Sequence, residues 1–269
     1  MSPAQGCREL GIQTGSGSGV YPRKARLVAG GLVILMATVD PKQRYDDTPM
    51  TASAGNKQHK RSSQTRDTLI ATAELLYASR GIDSVSLNEI LAASGHKNRS
   101  AMQYHFGNRE GLLQAIIDRH SQQVYALRAA FMDSVDTTAC SGPALAARVF
   151  VQPIADYMDA ETAGIHYVKI LSQMTVQNTA LIYGLEKAPI TLTMDPRHRR
   201  IAADALSHLG KTEANRRTFL SVGMVFHSLA DIYRLKDIAN KPDELSDRRR
   251  MVEQVVCALQ AYYAAPAWQ

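Results

Sequence analysis

The chain has 269 residues, with 31 Lys and Arg against 25 Asp and Glu and 45% hydrophobic residues. That is enough for one large or two ordinary domains whose core needs neither disulfide nor metal. Cys7, Cys140 and Cys257 are far apart, odd in number and in no Cys-x-x-Cys pattern, which excludes a disulfide scaffold and paired-cysteine metal ligands and fits a reducing cytoplasm. Cys140 and Cys257 are expected to be buried or idle thiols.

Residues 1–59 read as a disordered or over-extended N-terminal segment. Gly15-Ser16-Gly17-Ser18-Gly19 resembles a flexible linker, and Pro22 and Pro41 interrupt the stretch around it. The apolar run from Leu27 to Val39 follows Arg23, Lys24 and Arg26, but it is too short to span a bilayer, and no small-x-small cleavage site follows it. The natural start is expected downstream, near Met50, and no membrane partner is expected.

From Ser63 to Arg80, Leu69, Ile70, Ala73, Leu76 and Tyr77 share one helical face, and Gly81 is placed to stop the helix. Its start holds Lys57, Lys60, Arg61, Ser62, Ser63 and Arg66, groups that contact phosphate. Ser86-Leu87-Asn88-Glu89 is a capping box that starts a second, two-turn helix, and Gly95 suits the left-handed residue after it. Asn98 is a good N-cap for a third helix, in which Arg99, Ser100, Gln103, Tyr104 and His105 offer hydrogen-bonding groups while Ala101 and Met102 face inward. Phe106 is an anchor, Gly107 a turn, and Asn108 the cap of a helix beginning Arg109-Glu110-Gly111-Leu112-Leu113. This is the layout of a helix-turn-helix. Residues 50–130 carry 10 Lys and Arg against 6 Asp and Glu, whereas residues 131–269 are balanced at 15 of each, so the basic excess accompanies the helix-turn-helix and suits a polyanion.

These residues resemble the DNA-binding domain of the tetracycline-repressor (TetR) family of transcription regulators. The resemblance covers about residues 62–118. It rests on a first helix ending in Arg80-Gly81, the hydroxyl cap Ser86, the run Tyr104-His105-Phe106 and the helix start Arg109-Glu110. The chain departs from the usual pattern at Gln103, where the family has tyrosine, and the wording from Asn98 to Gly107 resembles a subgroup. The resemblance implies DNA contacts from Arg61, Thr65, Ser86, Lys97, Asn98, Arg99, Ser100, Gln103, Tyr104, His105 and Arg109. Arg99 is the leading base reader, since a guanidinium can donate two bonds to guanine. Lys97, Tyr104 and His105 would meet the backbone, and Ser86 and Arg109 would donate to phosphates. A packing and capping role for His105 carries equal weight.

The remainder reads as helix. Asn108 to about Phe131 forms a long connecting helix. Pro143 opens another that runs through Met158, and Gly164 to about Tyr183 gives a third. Asp195-Pro196 starts a helix closed by Gly210, Thr212 caps one running to about Asp237, and the last spans about Asp243 to Tyr263. Arg197, His198, Arg199 and Arg200 read as a solvated basic turn. The expectation is an all-α chain of about nine helices: a three-helix DNA-binding domain over residues 60–118 and a helical effector-binding and dimerisation domain over 119–269. The family's architecture pairs the last two helices with those of a second subunit. The breadth of the apolar surface from Thr212, with Leu220, Met224 and Val225, suits the same homodimer.

A small-molecule effector, of unspecified chemistry, would meet Tyr125, Phe150, Tyr157, Met158, His166, Tyr167, Met174, Tyr183, Phe226 or His227. These mix apolar walls with a few polar handles, although ordinary packing is the commoner role for each. No phosphate loop, His-Glu-x-x-His, Gly-x-Ser-x-Gly or Cys-x-x-Cys pair is present, so neither an enzyme nor a cofactor or metal is expected. The function implied is a ligand-responsive dimeric repressor on a near-palindromic double-stranded operator. The alternative is a ligand-binding or interaction protein whose helix-turn-helix no longer reads DNA.

Overall fold

The computed structural model describes residues 54–96, 98, 100–136, 140, 142–177, 190, 192, 194–235, 238 and 243–267. The expectations for residues 1–53, Lys97, Arg99 and Tyr183 lie outside them. The described residues form nine α-helices and one 3-10 turn, with no strand, so the fold class is all-α as expected: α1 Ala54–Arg80, α2 Leu87–Ala93, α3 Ser100–Phe106, α4 Arg109–Ser134, α5 Gly142–Ala160, α6 Thr162–Gln177, α7 Pro196–Ala205, α8 Lys211–Arg234 and α9 Arg248–Ala264.

Helix α1 begins at Ala54, ahead of the boundary expected at residue 60. It stops where Gly81 adopts φ +96°, and Gly95 and Gly107 take the left-handed conformation after α2 and α3. The Ser86 cap has the reciprocal geometry of a capping box: Glu89 N–H donates to Ser86 Oγ at 3.2 Å and Ser86 N–H donates to Glu89 Oε2 at 2.8 Å. Asn98 Oδ1 accepts from Ser100 N–H at 3.0 Å, and Asn108 Oδ1 from Gly111 N–H at 2.8 Å. Three hydrogen-bonded caps thus fix three successive short turns.

Two helix starts differ from expectation. Gly210 caps α8 with no side-chain bond, and Thr212 is already within the helix, while α7 ends at Ala205 rather than at Gly210. The last helix starts at Arg248 behind the Asp247 cap, because Asp243–Leu245 forms a 3-10 turn. Cys257 is exposed on α9, not buried.

Helix α5 is the centre of the molecule. Ala144 to Ala147, Val149 to Val151, Ile154, Tyr157 and Met158 are buried around its circumference, and it packs on α4, α6, α7 and α9. Pro153 within it lacks the N–H that would reach the Val149 carbonyl, and Arg128 Nε of α4 donates to that carbonyl at 3.1 Å. Beyond α5, the buried Arg217 of α8 donates to the carbonyls of Tyr262 and Ala265 and so closes the end of α9. One apolar core runs from Leu69 of α1 through α5 to Tyr263 of α9, and α4 crosses residue 118 without a break. No helix of the described residues is long and apolar enough to cross a membrane.

The Glu89 carboxyl is held down at about 2, first by the Ser86 backbone N–H and then by Arg80, whose Nη2 donates to it at 2.8 Å. An unfolded glutamate ionises near 4.5, so this stabilisation is complete above pH 5 and fades as pH falls through 4.5 towards 2. The difference in thermal midpoint between the wild type and Glu89→Gln should therefore be largest above pH 5 and shrink on acidification. A difference that stays constant down to pH 3 would remove the carboxylate from the account.

Candidate nucleic-acid interface and ligand cavity

Helix α3 buries Ala101 and Met102 against the core and turns the rest of its surface outward. Asn98, Ser100 and Gln103 are exposed, and Tyr104 is 78% exposed, a large aromatic ring with no packing reason to be there. His105 is half-buried, its ring edge-on to Tyr104 at 4.9 Å, and burial together with the neighbouring Arg66 lowers its pKa. Both effects disfavour the cationic imidazole. The Arg66 guanidinium lies over the Phe106 ring at 5.6 Å, which brings the basic first half of α1, with exposed Lys60 and Arg61 and half-buried Thr65, beside the end of α3.

Two residues expected to meet phosphate have internal bonds. The Ser86 hydroxyl donates to Glu89 Oε2 at 2.9 Å within the capping box. Arg109 reaches back under the loop between α1 and α2, donating from Nη1 to the Ile82 carbonyl at 2.9 Å and from Nη2 to the Val85 carbonyl at 3.2 Å. It is a strut that holds α2 at the start of α4. Sequence reasoning saw the charge and not its direction, which depends on a loop 24 and 27 residues upstream.

The effector candidates divide. Phe150, Tyr167 and Phe226 line one half-open cavity of about 60 Å³ between α4, α5, α6, α7 and α8. Tyr125, Tyr157, Met158, His166, Met174 and His227 do not line it. Tyr157 is instead bonded through its hydroxyl to His120 Nδ1 at 2.6 Å, and His227 lies exposed with Nε2 3.3 Å from Thr175 Oγ1. Val124, Ile154, Leu171, Leu192, Met194 and Val222 complete the apolar wall, and the polar lining includes Ser121, Arg128 and His198. Reading His198 as part of a solvated turn was wrong: it is 3% exposed, its ring 5.5 Å from Phe150, and burial keeps its pKa well below 6.5. The neighbouring Arg197 does face outward, pairing with Asp133 and Asp195.

Helix α6 joins this cavity to the helix-turn-helix. It carries Tyr167 and Leu171 in the wall, and just beyond Leu171 the Gln173 side chain accepts from Ile82 N–H at 2.8 Å and donates to the Tyr77 carbonyl at 3.1 Å. Sequence periodicity marks Gln173 as polar and nothing more.

A third surface lies on α8 and α9. Leu220, Gly223, Met224 and His227 follow one another at helical spacing and are exposed or half-exposed, as are Gln254, Cys257, Ala258 and Ala261 on the adjoining α9. Val225, named with Leu220 and Met224 as part of a broad apolar surface, is fully buried in its own core.

No family model matches the chain, and no curated protein matches it. Several solved structures are similar in fold. A TetR-family transcriptional regulator of Syntrophomonas wolfei aligns at TM-score 0.44 and 13% identity, over 76% of this chain and 96% of its own. A gamma-butyrolactone receptor aligns at TM-score 0.40 and 19% identity, over 74% and 98%. RolR, solved in complex with its ligand resorcinol, aligns at TM-score 0.39 and 18% identity, over 78% and 98%.

Removing the Arg109 strut leaves two partly buried carbonyls without a donor. Arg109→Ala should cost about 2 kcal/mol in urea unfolding, the range for hydrogen bonds from a charged donor, whereas exposed Lys60→Ala should stay within about 0.5 kcal/mol of the wild type. Equal small effects would show that Arg109 holds nothing.

Proposed function

We propose that the protein is a TetR-type DNA-binding transcription regulator that acts as a ligand-responsive homodimer, with repression as its default sense, on a near-palindromic operator. The observation that carries this reading is α3: a seven-residue helix, capped by Asn98, that buries two small or flexible side chains and presents an exposed polar and aromatic face beside the basic start of α1. A helix with that division is poor core and good recognition surface. Lys60, Arg61 and Lys97 would answer phosphates, Asn98, Ser100, Gln103 and Tyr104 the groove and its edge, and Arg99 a guanine. His105, whose cationic form is disfavoured, would serve as a hydrogen-bonding group.

The two stripes on α8 and α9 supply the dimer in this reading. Four helices meeting across them would cover Leu220 and place two reading heads about a two-fold axis, as an inverted-repeat operator requires. Ligand control would pass along α6: a molecule that fits the cavity better with α6 displaced would also move Gln173, and with it the loop that holds α2. The site of action would be the cytoplasm, where the DNA is.

Selection from random duplexes should return approximate inverted repeats, bound with an affinity that falls steeply with salt. Leu220→Arg should sediment as a monomer and lose most of that affinity, since the second head then has no raised local concentration. Arg99→Ala should relax preference at one base pair per half-site by about 1–3 kcal/mol. Asymmetric sites only, or undiminished affinity in the monomeric variant, would overturn the dimeric reading.

A further inference from the structure

Arg128 is an unusual cation in this fold. Only 7% exposed, it sits on α4 among apolar neighbours, and burial lowers its pKa to about 10, so it is still charged at neutral pH. Among the described residues no carboxylate lies within ion-pair distance of it. The nearby buried acid, Asp195, caps α7 by accepting from Arg197 N–H at 2.7 Å and pairs with Arg197 Nη2 at 3.5 Å. Proteins rarely leave a buried charge unanswered.

Part of the answer is structural. Nε of Arg128 occupies the Val149 carbonyl left without a partner by Pro153, and that is the guanidinium's hydrogen bond among the described residues. The two Nη groups, four of the five N–H donors, have other work to do. A second observation points to the same place. His198 lines the same cavity as Arg128, and its Nδ1 is buried without a hydrogen-bond partner. The free donors of Arg128 and the buried, unpartnered Nδ1 of His198 therefore share a cavity whose other lining is mostly apolar, with Ser121 and Tyr167 as its further polar members.

We infer that this cavity binds a short-chain monocarboxylate, its two oxygens taken by the Arg128 guanidinium and the His198 imidazole and its apolar tail lying between Phe150, Ile154 and Phe226. One guanidinium beside a neutral imidazole balances one negative charge, so a phosphate dianion would leave excess charge buried, and a neutral molecule would leave Arg128 unanswered. A planar carboxylate also matches the fork of a guanidinium. The cavity is small, about 60 Å³, which favours a short tail. This rests on the regulator reading only in naming the effector's class, and the cavity argument stands without DNA.

Calorimetric titration of the full chain with propionate, butyrate and valerate, and with butyramide as the uncharged shape control, tests it at constant ionic strength. At least one acid should bind at least tenfold more tightly than the amide. Arg128→Met should abolish that preference, and Phe226→Trp, which fills the cavity and keeps the charge, should abolish acid binding with the thermal midpoint retained. Should Arg128→Met fail to fold, Phe226→Trp decides alone. Equal binding of acid and amide, no binding of any of the three acids, or acid binding untouched by Phe226→Trp would overturn the proposal. Acid binding by a protein that selects no duplex would instead defeat the regulator reading and leave this one standing, and duplex selection without acid binding would do the reverse.

Discussion

The arrangement of the molecule depends on a buried imidazole. His120 of α4 contacts the Glu74 carboxylate of α1 through Nε2 at 2.9 Å and the Tyr157 hydroxyl of α5 through Nδ1 at 2.6 Å, and its ring stacks on Tyr167 of α6 at 4.8 Å. Burial pushes the Tyr157 hydroxyl up to about 12, so it keeps its proton and can donate to Nδ1 while Nε2–H donates to Glu74. Glu74 is 3% exposed, with Arg119 Nη1 as a second partner at 3.8 Å, and removing His120 would break two buried hydrogen bonds at once, a larger loss than a surface pair entails. Four helices are thereby held at one point, and the first helix of the helix-turn-helix unit is fastened to the walls of the cavity.

Geometry downstream of that point follows from α4. Arg109 at its first turn braces the loop before α2, His120 lies at its middle, and Ser121, Val124 and Arg128 line the cavity from its second half. Helix α4 and the apolar core both continue across residue 118, where the sequence suggested a division into domains. Any ligand that alters the spacing of α4 and α6 acts on Arg109 and on Gln173 together. A small change in the cavity thus has two routes to the α1–α2 loop, both made of hydrogen bonds to its backbone carbonyls and N–H groups.

Local chemistry was legible in the sequence and long-range direction was not. The caps at Ser86, Asn98, Asn108 and Asp195, and the stops at Gly81 and Gly95, involve residues within four of one another, and each is where its side chain or φ preference demands. The inward pair Ala101 and Met102 was legible for the same reason. Thr212 failed as a cap because Gly210 already had the extended backbone the position needs. Arg109, His198 and Arg128 could not be placed from their neighbours in sequence: a charged or titratable residue in a polar run reads as solvated, and only the packing of distant helices buries it. Of the aromatic effector candidates, three line the cavity because three faces of α5, α6 and α8 converge there, whereas Arg128 and His198 lie on α4 and α7, and the candidate chosen on α4, Tyr125, does not line it.

In the proposed dimer, two copies of α3 enter successive major grooves on one side of a duplex. Hydroxyl-radical footprinting of the full chain on its selected duplex measures this directly. The account predicts two protected patches whose centres are separated by about 10 base pairs or a multiple of one helical turn, both on the same face of the DNA. One continuous or solitary patch, or protection on opposite faces, would contradict it.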